Sequence, residues 1–247
     1  MTAEKLKMAI KNIIFNKVQY SLSYEILNHT CKDSILFLHG WGANKELMKN
    51  AFGEFFKDYC HIYLDFPGFG GSSIIEPLDS FGVRDIVKEF LSSLNKNPKI
   101  IAGHSFGGKI ALLLNPENIV LLSNSGIILP KRLWVKIKIK LFKIAKFFGL
   151  GRFYGVFASK DVKGMDVVMY EMFKKVVNED MSEYFKDYEG RAVVFWGKDD
   201  DTVPIAAAWK VNSLIKKSTL FELDGDHFFF LGKGGFIEKQ TVETLKD

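Results

Sequence analysis

The chain opens with a two-residue alternation. Val18, Tyr20, Leu22, Tyr24 and Ile26 are spaced by polar or small residues, within a stretch running from about 11 to 26. That period predicts antiparallel strands with one buried face. The pattern then changes to short, continuous apolar runs alternating with helical periodicity. Strands are predicted at Ile35–Leu38, Ile62–Leu64, Ile100–Ala102 and Ile119–Leu122, with helices at Lys45–Lys57, Ser80–Leu94 (Ser80 as N-cap) and Phe106–Leu114. After a long interruption the alternation resumes, with strands at Ala192–Trp196 and Leu220–Leu223, a helix at Ile205–Ile215 and a C-terminal helix ending near Leu245. Strands alternating with helices predict an α/β fold with a mostly parallel sheet flanked by helices.

The interruption, 127–188, lacks strand patterning and predicts a helical insertion between core segments 1–126 and 189–247. Within it Arg132–Phe148 fits one helix: Leu133, Ile137, Leu141, Ile144 and Phe148 make an apolar stripe, and Arg132, Lys136, Lys140 and Lys143 share another face. Composition adds a charge asymmetry. The whole chain carries +5, but Asn118–Lys160 alone holds nine Lys/Arg and no Asp or Glu, which leaves −4 for the rest. A solvated surface, a docking face for an acidic carrier protein or anionic substrate, and a membrane-surface helix all fit such a face. Nothing points to nucleic acid.

At 247 residues, 47% hydrophobic and 26% charged, the chain has the make-up of one folded unit rather than a disordered one. Its two cysteines cannot build a disulfide framework and suit a reducing compartment. No C-x-x-C or H-x-x-x-H spacing suggests a zinc site, no apolar run of 18 suggests a membrane span, and the first residues lack a signal-peptide core. The cytoplasm is the expected location.

The chemistry concentrates in the turns after predicted strands. Gly103-His104-Ser105-Phe106-Gly107 joins a strand to a helix in the G-x-S-x-G pattern that presents a nucleophilic serine on a sharp turn. The helix start beneath it offers unpaired N–H groups and a positive dipole end. His39-Gly40-Trp41-Gly42 follows an earlier strand, so the backbone N–H groups of Trp41 and Phe106 are candidate donors to an oxyanion. Asp199, Asp200 and Asp201 sit together after a late strand, where one inward carboxylate suffices to orient a histidine. His227, in Asp224-Gly225-Asp226-His227-Phe228, follows the last predicted strand. His39 and His104 read as structural neighbours of the motifs, and His29 and His61 as surface or strand positions.

HGWG, DFPGFGGS, GHSFGG, WGKDDDTVP and GDHFFFL, in that order, resemble the α/β-hydrolase superfamily over almost the whole chain. The resemblance implies the α/β-hydrolase fold with 127–188 as a helical lid, and a catalytic triad of Ser105, Asp200 and His227. Asp200 is chosen over Asp199 because Gly197, Asp200, Val203 and Pro204 match the superfamily's G-x-x-D-x-x-V-P acid loop. HGWG followed by DFPGFG is similar to esterases that cleave pimeloyl-acyl-carrier-protein methyl ester. SNSGIILPKR and KKVVNED resemble a lidded group labelled dienoate (meta-cleavage product) hydrolases, although those carry Trp where this chain has Phe228. The implied activity is hydrolysis of a small-molecule ester or thioester without metal or organic cofactor. Trp41, Phe142 and Phe228 are expected substrate contacts. C–C bond hydrolysis and non-catalytic binding on the same fold are the alternatives.

Overall fold

The computed structural model describes residues 9–129 and 167–246. Its elements run β1 (Ala9–Phe15), β2 (Val18–Leu27), β3 (Ser34–Leu38), α1 (Lys45–Phe52), β4 (Cys60–Leu64), α2 (Ser80–Ser93), β5 (Ile100–His104), α3 (Phe106–Leu114) and β6 (Asn118–Leu122). After 129 come α4 (Val167–Val176), α5 (Ser182–Asp187), β7 (Arg191–Gly197), α6 (Ile205–Leu214), β8 (Ser218–Leu223) and α7 (Gly234–Lys246).

These strands form one eight-stranded sheet in the order β1-β2-β4-β3-β5-β6-β7-β8. β1 and β2 form an antiparallel hairpin, β2 pairs antiparallel with β4, and every later pairing is parallel. The hairpin turns on Asn16 and Lys17, both at positive φ, a turn whose twist matches the right-handed twist of the paired strands. The predicted α/β class and mostly parallel sheet are therefore observed.

Strands β3 to β6 are buried at every residue, as expected when helices cover both faces. Successive side chains serve opposite layers. Leu36 and Leu38 join the cluster packed by α2, α3 and α6, while Ile35 and Phe37 join the one packed by α1 and α7. Each fully buried aliphatic or aromatic side chain contributes about 1.5–3 kcal/mol by leaving water. Ile127, Met169, Met172 and Phe185, from the segment read as a lid, pack into the first cluster.

Some predicted details change. Helix α1 stops at Phe52, where the Gly53 N–H bonds the Lys49 carbonyl and the chain turns toward Phe56 at φ 52. The N-cap of α2 is Asp79, whose carboxylate accepts from the Gly82 N–H at 2.8 Å; Ser80 is the first helical residue. Strand β4 begins earlier, at Cys60, and buries His61 between the Tyr63 hydroxyl and the Phe56 carbonyl. The predicted helix Arg132–Phe148, with its basic face of Arg132, Lys136, Lys140 and Lys143, lies outside the described residues, as does Phe142. Among the described residues no helix is long and apolar enough to cross a membrane.

Candidate active site

The strand order reverses direction beside β3. From β3 the chain steps to β4 on one side and later to β5 on the other. Loops leaving the carboxyl ends of β3 and β5 consequently diverge, and a crevice opens between them. Leu38 pairs with Gly103 at that edge, so His39–Gly42 and Ser105 emerge side by side.

Ser105 occupies the strand-to-helix turn at φ 50, ψ −112. A residue with a Cβ holds such a conformation only when its surroundings fix it, at a cost of roughly 1–3 kcal/mol. Here its N–H donates to the Leu122 carbonyl at 3.0 Å, and its carbonyl accepts from Gly108 (3.1 Å) and Ser125 (3.0 Å). The flanking glycines are required by close approach. A Cβ on Gly103 would collide with the Gly107 carbonyl, and one on Gly107 with the carbonyls of Leu38 and His39. The turn thus presses α3 against β3 and β5 and leaves Ser105 at the helix start. Among the described residues, the backbone N–H groups of Trp41 and Phe106 make no hydrogen bond.

Asp200 and His227 meet although 27 positions apart: His227 Nδ1 lies 2.8 Å from Asp200 Oδ2. The other carboxylate oxygen accepts from the backbone N–H groups of Thr202 and Val203, each at 2.8 Å. With both oxygens engaged, the buried carboxylate has one orientation and fixes the imidazole with Nδ1 as the donor. Asp199 and Asp201 are exposed.

His104 joins this loop to the serine turn. Its Nε2–H donates to the His227 carbonyl at 2.9 Å, and the two rings lie 4.6 Å apart. Burial, then the neighbouring His227, pushes its pKa well below the ordinary value, so it stays neutral. His39 is neutral as well. It donates from Nδ1 to the Gly40 carbonyl (2.8 Å) and accepts the Phe66 N–H at Nε2 (3.1 Å), and burial lowers its pKa to about 4. Both are structural, as their motif positions suggest. Nearby, a buried ion pair locks the loops after β3 and β4. Asp65 accepts from the Lys45 N–H and Nζ, each at 2.7 Å, and from Gly71 at 3.0 Å.

A pocket opens beside Ser105, walled by Trp41, Phe106, Ile127, Phe173, Val176 and Val203. Trp41 packs edge-on to Phe69 and Phe106 and tilted against Phe173. Phe228 packs instead against the rings of His104 and His227, at 5.2 and 5.5 Å. Lys109 also lines the pocket, a residue that none of the sequence motifs marks. Its signal was a lone cation inside the apolar run Phe106–Leu114, one helical turn after Ser105. Among the described residues no cluster of three or more His, Cys, Asp or Glu side chains offers a cation site.

Residues 35–233 match the family described as "Alpha/beta hydrolase family". The chain is 36% identical over 80 residues to a 2-succinyl-6-hydroxy-2,4-cyclohexadiene-1-carboxylate synthase of Shigella dysenteriae, a stretch covering 32% of this chain and 31% of that protein. It thus matches under a third of that relative's length. Among solved structures, a membrane phospholipase A, a bacterial virulence factor, superposes at TM-score 0.77 and 15% identity, covering 97% of this chain and 86% of that one. An esterase from Thermogutta terrifontis superposes at 0.72 and 13% identity, covering 96% and 98%. At these identities the superpositions speak for the fold. With the family match running from β3 through the serine turn to the His227 loop, the chain belongs to the α/β-hydrolase family.

Proposed function

We propose that this protein is a serine hydrolase of carboxylic esters or thioesters, acting through an acyl-enzyme on Ser105. The observation that carries the reading is the buried Asp200–His227 hydrogen bond, held by the His104 contact against the strained serine turn. In this reading Nε2 of His227 takes the Ser105 proton as the oxygen attacks the acyl carbonyl. Asp200 keeps the proton on Nδ1 and stabilises the imidazolium. The negative oxygen of the tetrahedral intermediate accepts from the backbone N–H groups of Trp41 and Phe106. His227 then protonates the leaving alcohol or thiol, and water, activated by the same imidazole, attacks the acyl carbonyl to free Ser105.

Apolar pocket walls suit an acyl chain. The names of the structural neighbours, a phospholipase A and an esterase, agree with ester chemistry. The basic positions Arg132, Lys136, Lys140 and Lys143 extend the proposal to an acidic carrier protein that delivers the acyl group. The test is turnover of p-nitrophenyl esters by the wild type and by Ser105→Ala. The reading requires the wild type to hydrolyse them and the folded variant to lose nearly all turnover. Equal turnover by both proteins would reject it.

A further inference from the structure

Lys109 is the one charged side chain among the described residues lining the pocket beside Ser105. It is buried, and its Nζ donates to the Val176 carbonyl at 2.6 Å and to Glu179 Oε2 at 3.1 Å. Glu179 is pinned in turn. Its Oε1 accepts the Ser80 N–H at 3.1 Å, at the first turn of α2, and its Oε2 accepts the Ser80 hydroxyl. The carboxylate therefore bridges the start of α2 to the ammonium on α3, and its charge cancels the one the pocket would otherwise display. Burial lowers the Lys109 pKa while Glu179 opposes that shift.

From this arrangement we infer that Glu179 is a specificity-determining residue: by occupying the Lys109 ammonium, it makes the acyl pocket of Ser105 select uncharged acyl groups over those ending in a carboxylate. The inference rests on the serine-hydrolase reading above. The physical reason is desolvation. A carboxylate entering among Trp41, Phe106, Phe173 and Val176 gives up its water and finds the nearby cation already paired and an anion beside it. An uncharged chain loses nothing polar and gains apolar contact. If Glu179 loses its charge, the Lys109 amine, still donating to the Val176 carbonyl, loses its counter-ion one helical turn from the nucleophile, and an incoming carboxylate can take that place in a charge-assisted hydrogen bond.

The test compares two fluorophosphonate probes of equal length, one with an alkyl end and one with a carboxylate end, on purified wild type, Glu179→Gln and the Lys109→Met/Glu179→Gln double variant. Labelling rates at Ser105 are read by mass spectrometry, alongside turnover of p-nitrophenyl butyrate and of the p-nitrophenyl monoester of succinate. The wild type should favour the alkyl probe. Glu179→Gln should shift the ratio toward the carboxylate probe by roughly 10–100-fold, the scale of one hydrogen bond to a charged group. The double variant, lacking both charges, should return to the wild-type preference. An unchanged ratio in Glu179→Gln, or the same shift in the double variant, overturns the masking role while leaving the hydrolase reading intact. No labelling of Ser105 in folded wild type overturns both.

Discussion

At the scale of single residues, the site depends on which of three adjacent aspartates faces inward. Asp200 is buried with both oxygens engaged, whereas Asp199 and Asp201 are exposed. Asp200→Asn keeps the shape but reverses the hydrogen bond, leaving His227 in the tautomer that cannot accept the serine proton. Turnover should fall by a factor on the order of 10⁴, the scale known for such a change in Ser-His-Asp triads. Asp199→Asn should change turnover less than about tenfold, because the side chain touches neither imidazole nor substrate pocket. Steady-state rates with a p-nitrophenyl ester separate the two, and a larger loss in Asp199→Asn would reassign the acid. The residues proposed as the triad stand out in the sequence because each sits in a turn whose neighbours are restricted by geometry, as Gly103 and Gly107 are around Ser105. Lys109 and Glu179 do not. A lysine inside a helix reads as a solvated face until tertiary packing shows it buried, and their pairing across 70 positions leaves no local trace.

The elements explain how the loops carrying these residues stay registered. Asp65, at the end of β4, holds the first residue of α1 through the Lys45 backbone and ammonium, so the Trp41 turn is tethered to the loop after β4. Removing the carboxylate takes the ion-pair partner from a buried ammonium. Asp65→Ala should therefore lower unfolding free energy by roughly 3–5 kcal/mol, measured by urea denaturation. A loss below about 1 kcal/mol would mean the ammonium finds another partner or reaches water. The fully buried strands were legible as apolar runs bounded by turn residues, and the hairpin as an alternation. Element ends were less so. Asp79 and Ser80 both suit an N-cap; in the structure Asp79 caps the Gly82 N–H, and Ser80 is bound through its N–H and hydroxyl by Glu179 from far along the chain. Helix α4 carries apolar residues at helical spacing (Met169, Met172, Val176), but no cap or turn motif marks its ends within the long insertion.

Over the whole molecule, the parallel sheet places its loops so that the reversal of strand order, the serine turn and the His227 loop converge at one edge. The same burial that fixes the site makes the protein acid-sensitive. His39 is held neutral with its pKa lowered by burial to about 4, and burial lowers His61 and His104 too. In the unfolded chain these groups protonate near pH ~6.5. Between those values the unfolded state binds protons that the folded state refuses, so stability falls as pH drops below ~6.5, and His39 alone accounts for roughly 3 kcal/mol by pH 4. Urea midpoints at pH 7.5 and pH 5 should differ, the acidic one lower; identical midpoints would show that these histidines are not buried neutral. Whether Ser105 is the nucleophile is read most directly by treating the folded protein with an alkyl fluorophosphonate and mapping the adduct by peptide mass spectrometry. One adduct per chain is expected, on Ser105, and none on Ser105→Ala. An unmodified wild type, or an adduct on another residue that persists in Ser105→Ala, would mean that Ser105 is not the nucleophile.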